Sequence, residues 1–283
     1  MRPIRFILLL ISLTVLLSES AAASLYQVSK VADSVYAAIA QPSRSAVSNA
    51  FFVVTDNEVI VAGAHFTAEG IKELRAVIAS ITPLQVKQLI LTHHHKGLNY
   101  LDFDIPVNTE VIVSVDLWQA LKGESREFKN STIVFDNALT LNKGKTSLVI
   151  MHTGPGHSSG DTIVYLPKER ILFASDLLFN DAVGFMGEAS IHEWGDSLDL
   201  MDELAPATVI PGVGRVSDSG AIERFRRFYR AFMTEIIRNV EKGNTLSQAK
   251  KEFSLPQYKS LPGYDAFFEV NFERAYKQFK SSR

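Results

Sequence analysis

The chain has 283 residues, 46% of them hydrophobic and 21% charged, with a formal net charge of −2. This is an ordinary globular composition, long enough for one large domain or two small ones, and it lacks the concentrated basic face that nucleic acid requires. Cysteine is absent, which excludes disulfides and thiolate ligands and leaves histidines and carboxylates to hold any metal.

At the N-terminus Arg2 and Arg5 precede an apolar run from Phe6 to Leu17, then Ser18-Glu19-Ser20-Ala21-Ala22-Ala23-Ser24. A charged start, a short apolar middle and a small-residue exit predict a secretory signal, residues 1–23, cut after Ala23. The run is shorter than the ~20 residues of a spanning helix. No stable membrane insertion is therefore expected after cleavage, and the expected location is periplasmic or secreted. An uncleaved anchor is the alternative. No cysteine flanks the cut, which excludes a lipoprotein. With Arg2, Arg5 and Glu19 removed the net charge becomes −3.

From Leu25 to Asp218 short β-like runs alternate with a few helices. Val35–Ile39 reads as a strand, and Phe51–Thr55 and Val59–Ala62 flank Asp56-Asn57-Glu58 as a hairpin. Thr67 can cap a helix whose apolar positions are Ile71, Leu74, Ile78 and Ile81. Gln88–Leu91, Glu110–Val115, Thr132–Phe135, Ser147–Met151, Thr162–Leu166 and Ile171–Ala174 read as further strands. Helices are expected near Leu117–Leu121 and Trp194–Leu204. The loop Phe179–Glu193 carries Gly184, Met186 and Gly187, which suggest mobility. Residues 24–217 are expected to form the main domain, a mixed sheet structure covered by helices.

Residues 218–283 read as a helical extension packed on it. Phe225, Phe228, Tyr229, Phe232, Ile236 and Val240 share one helical face, with Arg224, Arg227, Arg230 and Arg238 largely off it. Gly243 ends that helix and Thr245 can open a short one. A last helix is expected from Asp265 to Phe279, with Phe268, Phe272, Tyr276 and Phe279 at helical spacing. Core packing accounts for this aromatic stripe better than a membrane surface or a partner does.

The chemistry concentrates where the strand Leu89-Ile90-Leu91 ends in Thr92-His93-His94-His95. His93 and His95 stand two residues apart, so in extended backbone both rings project to one side and can grip one metal. A fourth histidine follows in Gly154-Pro155-Gly156-His157-Ser158-Ser159-Gly160-Asp161. Then come Ile171-Leu172-Phe173-Ala174-Ser175-Asp176 and Val209-Ile210-Pro211-Gly212-Val213-Gly214.

In order and spacing these segments resemble the metallo-β-lactamase superfamily, from about residue 25 to residue 215. The resemblance implies an α/β (α+β) fold, a four-layer αββα sandwich of two facing mixed sheets with helices outside, here with the C-terminal helical extension. It places a metal at one edge, held by loops at strand ends. Members usually carry His-x-His-x-Asp-His, whereas this chain has Gly97 at the aspartate place and Leu98 at the last histidine place. The Pro-Gly-His-Gly loop reads Pro211-Gly212-Val213-Gly214, and an aspartate common at an early strand end is Gly63. Three of these losses, at Gly97, Leu98 and Val213, fall on the second site of two-metal relatives. The resemblance leaves His93, His95 and His157 as the three-histidine first site and matches Asp176 to the carboxylate that bridges the metals.

Three neutral imidazoles and water complete a zinc site with one open position and lower the pKa of bound water to about 7. Asp176 is either a fourth ligand or an acceptor that orients the water. At most one tightly bound metal is expected, with slower chemistry than in intact relatives. His94 points opposite its neighbours and reads as structural. His152 and His192 read as packed or surface residues. His65 reads as packed, with a replacement-ligand role as the alternative. Asp161 is expected to fix the His157 loop. Lys96, Asn99 and Tyr100 could line the cleft, with Lys96 or Tyr100 as a proton donor.

Three readings follow. The first is a mononuclear zinc hydrolase acting on an unidentified small molecule, with Asp176 catalytic. The second is a degenerate member that binds a ligand or partner without turnover. The third is a mononuclear iron oxygenase of sulfur compounds, because His93, His157 and Asp176 make two histidines and one carboxylate. Persulfide dioxygenases of the superfamily use those positions, although they retain the fuller histidine motif.

Overall fold

Short runs of apolar residues, many buried on both faces, pair into two sheets. The computed structural model describes residues 24–41, 48–64, 67–94, 106–122, 129–187 and 190–281. The first sheet takes its strands in chain order: β1 (Tyr26–Ala32), β2 (Val35–Ala40), β3 (Ala50–Val54), β4 (Val59–Gly63), β5 (Val86–Leu91), β6 (Glu110–Ser114) and β7 (Thr132–Phe135). β1 to β4 are antiparallel neighbours, and β4 to β7 run parallel. The parallel half needs crossovers. One is α1 (Ala68–Ile81) and another includes α2 (Val115–Lys122). Thr67 caps α1 by accepting from the Gly70 amide at 2.9 Å. Leu74 and Ile78 are buried, whereas Ile81 in the last turn is 38% exposed.

The second sheet has the order β12-β11-β10-β9-β8. Its strands are β8 (Ala138–Lys143), β9 (Thr146–His152), β10 (Thr162–Leu166), β11 (Ile171–Asn180) and β12 (Thr208–Gly214). It is antiparallel except for β11 and β12. After β11 comes α3 (Trp194–Glu203), and after β12 come α4 (Gly220–Glu241), α5 (Leu246–Glu252) and α6 (Tyr264–Ser281).

Three apolar clusters define the layers. Phe51, Ile60, Ile90, Ile112, Leu148, Ile150, Phe173 and Ile210 fill the space between the sheets. Phe52, Val61, Leu74, Ile78, Val111 and Leu117 join the first sheet to α1 and α2. Leu172, Leu178, Trp194, Leu198, Phe225, Phe232 and Phe272 join the second sheet to α3, α4 and α6. The result is the αββα sandwich, with the C-terminal helices on the outer face of the second sheet. Among the described residues no helix is long and apolar enough to cross a membrane.

Four strand assignments differ from the sequence reading. β1 and β8 lie at sheet edges and alternate with exposed polar residues, so they carry little apolar signal. β12 passes through Pro211-Gly212, which reads as loop. β11 does not stop at Ala174 but runs buried to Asn180. The polar pair Ser175-Asp176 hides this continuation. The residues expected as a signal, 1–23, lie outside those described, as do His65, His95, Lys96, Gly97, Leu98, Asn99 and Tyr100.

Candidate metal centre

Two loops and the strand β11 meet at one edge of the sandwich. β5 is a central strand, and beyond its end the Thr92 carbonyl accepts from the Thr162 amide of the facing sheet at 2.8 Å. His93 follows directly, 3% exposed. His157 enters on the loop between β9 and β10. Asp161 holds this loop from within, accepting from the Ser158 amide at 2.9 Å and from the Ser158 hydroxyl at 2.6 Å. Asp161 thus does what a turn aspartate does. Asp176 comes from the middle of β11.

The Nε2 atoms of His93 and His157 lie 3.6 and 3.8 Å from Asp176 Oδ2. These spans exceed hydrogen-bond length, yet one donor atom from each residue lies within 4.8 Å of the others. The imidazoles stand nearly perpendicular, with centroids 4.8 Å apart. All three residues are buried. Ser48 donates to Asp176 Oδ2 at 2.8 Å. The other oxygen, Oδ1, is buried with no hydrogen-bond partner among the described residues. Burial pushes the Asp176 carboxyl up to about 7, against the lowering effect of the Ser48 hydroxyl. Burial likewise pushes Asp161 up to about 7, against hydrogen bonds from Ser158 and the His157 amide. A buried carboxylate whose Oδ2 faces two imidazole nitrogens fits a divalent cation, which would balance the buried charge.

The surroundings fix these donors. Trp194 donates its Nε1 hydrogen to the Leu177 carbonyl at 2.8 Å and sets its ring edge-on to His157, with centroids 5.9 Å apart. Phe185 approaches the same imidazole at 6.4 Å. Gly184, Met186 and Gly187, which suggest mobility in the sequence, are buried and held in place. Met186 N–H donates to Asn271 Oδ1 at 2.9 Å, and Asn271 Nδ2 donates to the Gly184 carbonyl at 2.9 Å. Asn49 ties Pro211-Gly212-Val213-Gly214 to the first sheet, donating to the Pro211 and Gly214 carbonyls at 2.8 and 2.9 Å. Val213, at the family's histidine place, packs against the outer apolar cluster.

Of the expected ligands, the structure therefore brings His93, His157 and Asp176 together, while His95 lies outside the described residues. His94, the next residue after His93, is buried. His152 lies 3.6 Å from Asp116, and His192 packs on Phe279 with centroids 3.9 Å apart. The sequence reading missed Ser48, Ser175 and Asn271. Asn271 alone carried a signal, as an amide set inside the stripe Phe268, Phe272 and Tyr276.

Comparison with known proteins agrees with this architecture. The sequence model of the metallo-β-lactamase superfamily matches residues 45–213. The metallo-β-lactamase type 2 of Elizabethkingia meningoseptica is 25% identical over 185 residues, 62% of this chain and 72% of that protein. That of Bacteroides fragilis is 26% identical over 104 residues, 35% of this chain and 42% of that protein. A solved metallo-β-lactamase from Pontibacter korlensis superposes with a TM-score of 0.63 at 20% identity, covering 72% of this chain and 99% of its own. The DIM-1 metallo-β-lactamase gives 0.60 at 20% identity, covering 73% and 98%. These structural likenesses carry the fold, and the family match carries the membership: this chain belongs to the metallo-β-lactamase superfamily.

Proposed function

We propose that the chain is an exported metallo-hydrolase that binds one zinc ion and hydrolyses a small molecule at a carbonyl or ester centre. The observation that carries the reading is the buried meeting of His93, His157 and Asp176. His95 would complete the donor set. When bound, zinc supplies a Lewis acid that polarises the substrate and acidifies water.

The chain's own residues divide the remaining work. His93 and His157 present Nε2. Asp176 Oδ2, the oxygen that faces both imidazoles, either joins them or accepts a proton at the site, and Ser48 steadies that same oxygen. Phe185 and Trp194 shield His157 from bulk water. One metal rather than two is favoured because Gly97, Leu98 and Val213 offer no donor side chains. Export is supported by the pattern of residues 1–23. Iron is the second reading, since the described donors are two imidazoles and a carboxylate.

Metal analysis of protein purified without added metal tests this. We expect about one zinc per chain, lost in His93→Ala and in His157→Ala. Iron in its place would select the oxygenase. A content near two would overturn the single-site account. In a Trp118→Phe background the fluorescence of Trp194, adjacent to His157, should respond to zinc. Turnover is sought on an ester, lactone and β-lactam panel and should be abolished by a chelator. Inactivity of the fully loaded protein throughout such a panel would favour a binding role.

A further inference from the structure

β11 loses register with β12 just before Asp176. Phe173 faces Ile210 and Ser175 faces Pro211, so two residues of one strand answer one of the other. At this bulge Ser175 adopts φ +50, in the left-handed region where glycine is the easy occupant. Ser175 is 3% exposed, so its hydroxyl must find its partners inside the protein. Its Oγ lies 3.1 Å from His93 Nδ1 and 2.7 Å from Thr92 Oγ1. Thr92 is itself pinned between the sheets through its carbonyl.

The nitrogen of His93 nearest Asp176 is Nε2. A neutral imidazole that offers a lone pair at Nε2 carries its proton on Nδ1. We infer that Ser175 is a positioning residue that locks this tautomer. Its oxygen accepts the Nδ1 proton of His93, and its own hydrogen points to Thr92 Oγ1. The strained backbone at residue 175 then has a use: it brings a hydroxyl to 3.1 Å from His93 Nδ1, closer than the Thr92 hydroxyl at 3.4 Å. The bulge also turns Asp176 into the cleft, so one residue sets two of the three donors. The inference rests on the metal-site reading only for its effect on metal affinity; the tautomer itself belongs to the metal-free protein.

The test compares the full chain with Ser175→Gly, Ser175→Ala and Thr92→Val. Three quantities are measured: the ring-nitrogen NMR shifts of His93 without metal, zinc affinity by chelator competition, and thermal unfolding. Ser175→Gly relieves the backbone, so its metal-free form should unfold at or above the wild-type temperature. Its zinc affinity should nevertheless fall by ~10–100-fold, and His93 should shift from the Nδ1–H tautomer to a mixture. Ser175→Ala should lose affinity similarly, and Thr92→Val less. An unchanged tautomer in both Ser175 variants would overturn the inference, even if affinity fell, because that loss would be general loosening. Unchanged zinc affinity with wild-type binding intact would overturn it equally. If the wild type binds no zinc, the metal-site reading fails, and the tautomer comparison still decides the role of Ser175.

Discussion

Gly187 lies against the backbone of His157 so closely that a β-carbon on it would overlap the His157 carbonyl. Its φ of +68 adds a second reason for glycine there. The His157 loop is thus held from inside by Asp161 and from outside by the segment 183–187.

The contact predicts that Gly187→Ala costs about 1–3 kcal/mol in denaturant unfolding, with lower zinc content in the folded fraction. Gly154→Ala is the control. Residue 154 also has positive φ, but nothing lies within 4 Å of a β-carbon there. That variant should show backbone strain alone, with zinc content kept. Equal zinc loss in both would mean that the overlap at His157 is not what matters.

Asn271 carries the influence of α6 to the same loop. It is 1% exposed and bonds both Gly184 and Met186, while Arg274 donates to the Met186 carbonyl at 3.2 Å. Asn271→Ala leaves a buried amide and a buried carbonyl unmatched, at a cost of about 1–3 kcal/mol each. The expected result is faster hydrogen exchange at residues 184–187 and weaker zinc binding. Val270→Ala, at a 45% exposed neighbour, should change neither. The C-terminal helices, which lie beyond the family match at 45–213, thus bond directly to the segment that packs on the His157 loop.

How far the sequence could be read follows from these contacts. The strand before His93 and the turn carrying His157 were legible because each is local, an apolar run and a Gly-Pro-Gly turn, whereas Asp176 was placed only by its match to the family. The sandwich followed from the resemblance. Ser48 and Ser175 were not legible, because a hydroxyl means something only once its partner 128 or 82 residues away is in place. Gly187 was misread for a related reason. A glycine in a loop looks mobile in sequence, and only the opposing carbonyl of His157 shows that it is there for close packing.

Removing the metal should loosen the protein as well as silence it. The cluster buries a carboxylate whose Oδ2 faces two imidazoles, and a bound cation would balance its charge. A ligand that binds only the folded state at 100 times its dissociation constant adds about 2.7 kcal/mol. Thermal unfolding with zinc and with a chelator should therefore differ by several degrees in the wild type. Asp176→Asn removes the buried charge, so its metal-free form should be no less stable than the wild type and should gain little from zinc. A large zinc effect retained in Asp176→Asn would place the stabilising ion elsewhere.

Glu73 on α1 gives the protein an acid-sensitive clamp on the start of β1. Its carboxylate accepts from the Leu25 amide at 2.8 and 2.9 Å, from the Tyr26 amide at 3.0 Å and from the Ser24 hydroxyl. Burial raises its pKa, but these hydrogen bonds outweigh burial and hold it below the ordinary value of 4.5. The folded state thus binds this proton less readily than the unfolded one. The contribution is fully present above the unfolded pKa and is lost as pH falls through the folded value. Wild-type stability minus that of Glu73→Gln should therefore be constant near neutral pH and shrink below about pH 4.5. The same difference should appear as faster hydrogen exchange at Leu25 and Tyr26 in the variant, since β1 begins at Tyr26 and is an edge strand. A difference that grows on acidification would mean that the carboxylate does not act through these amides.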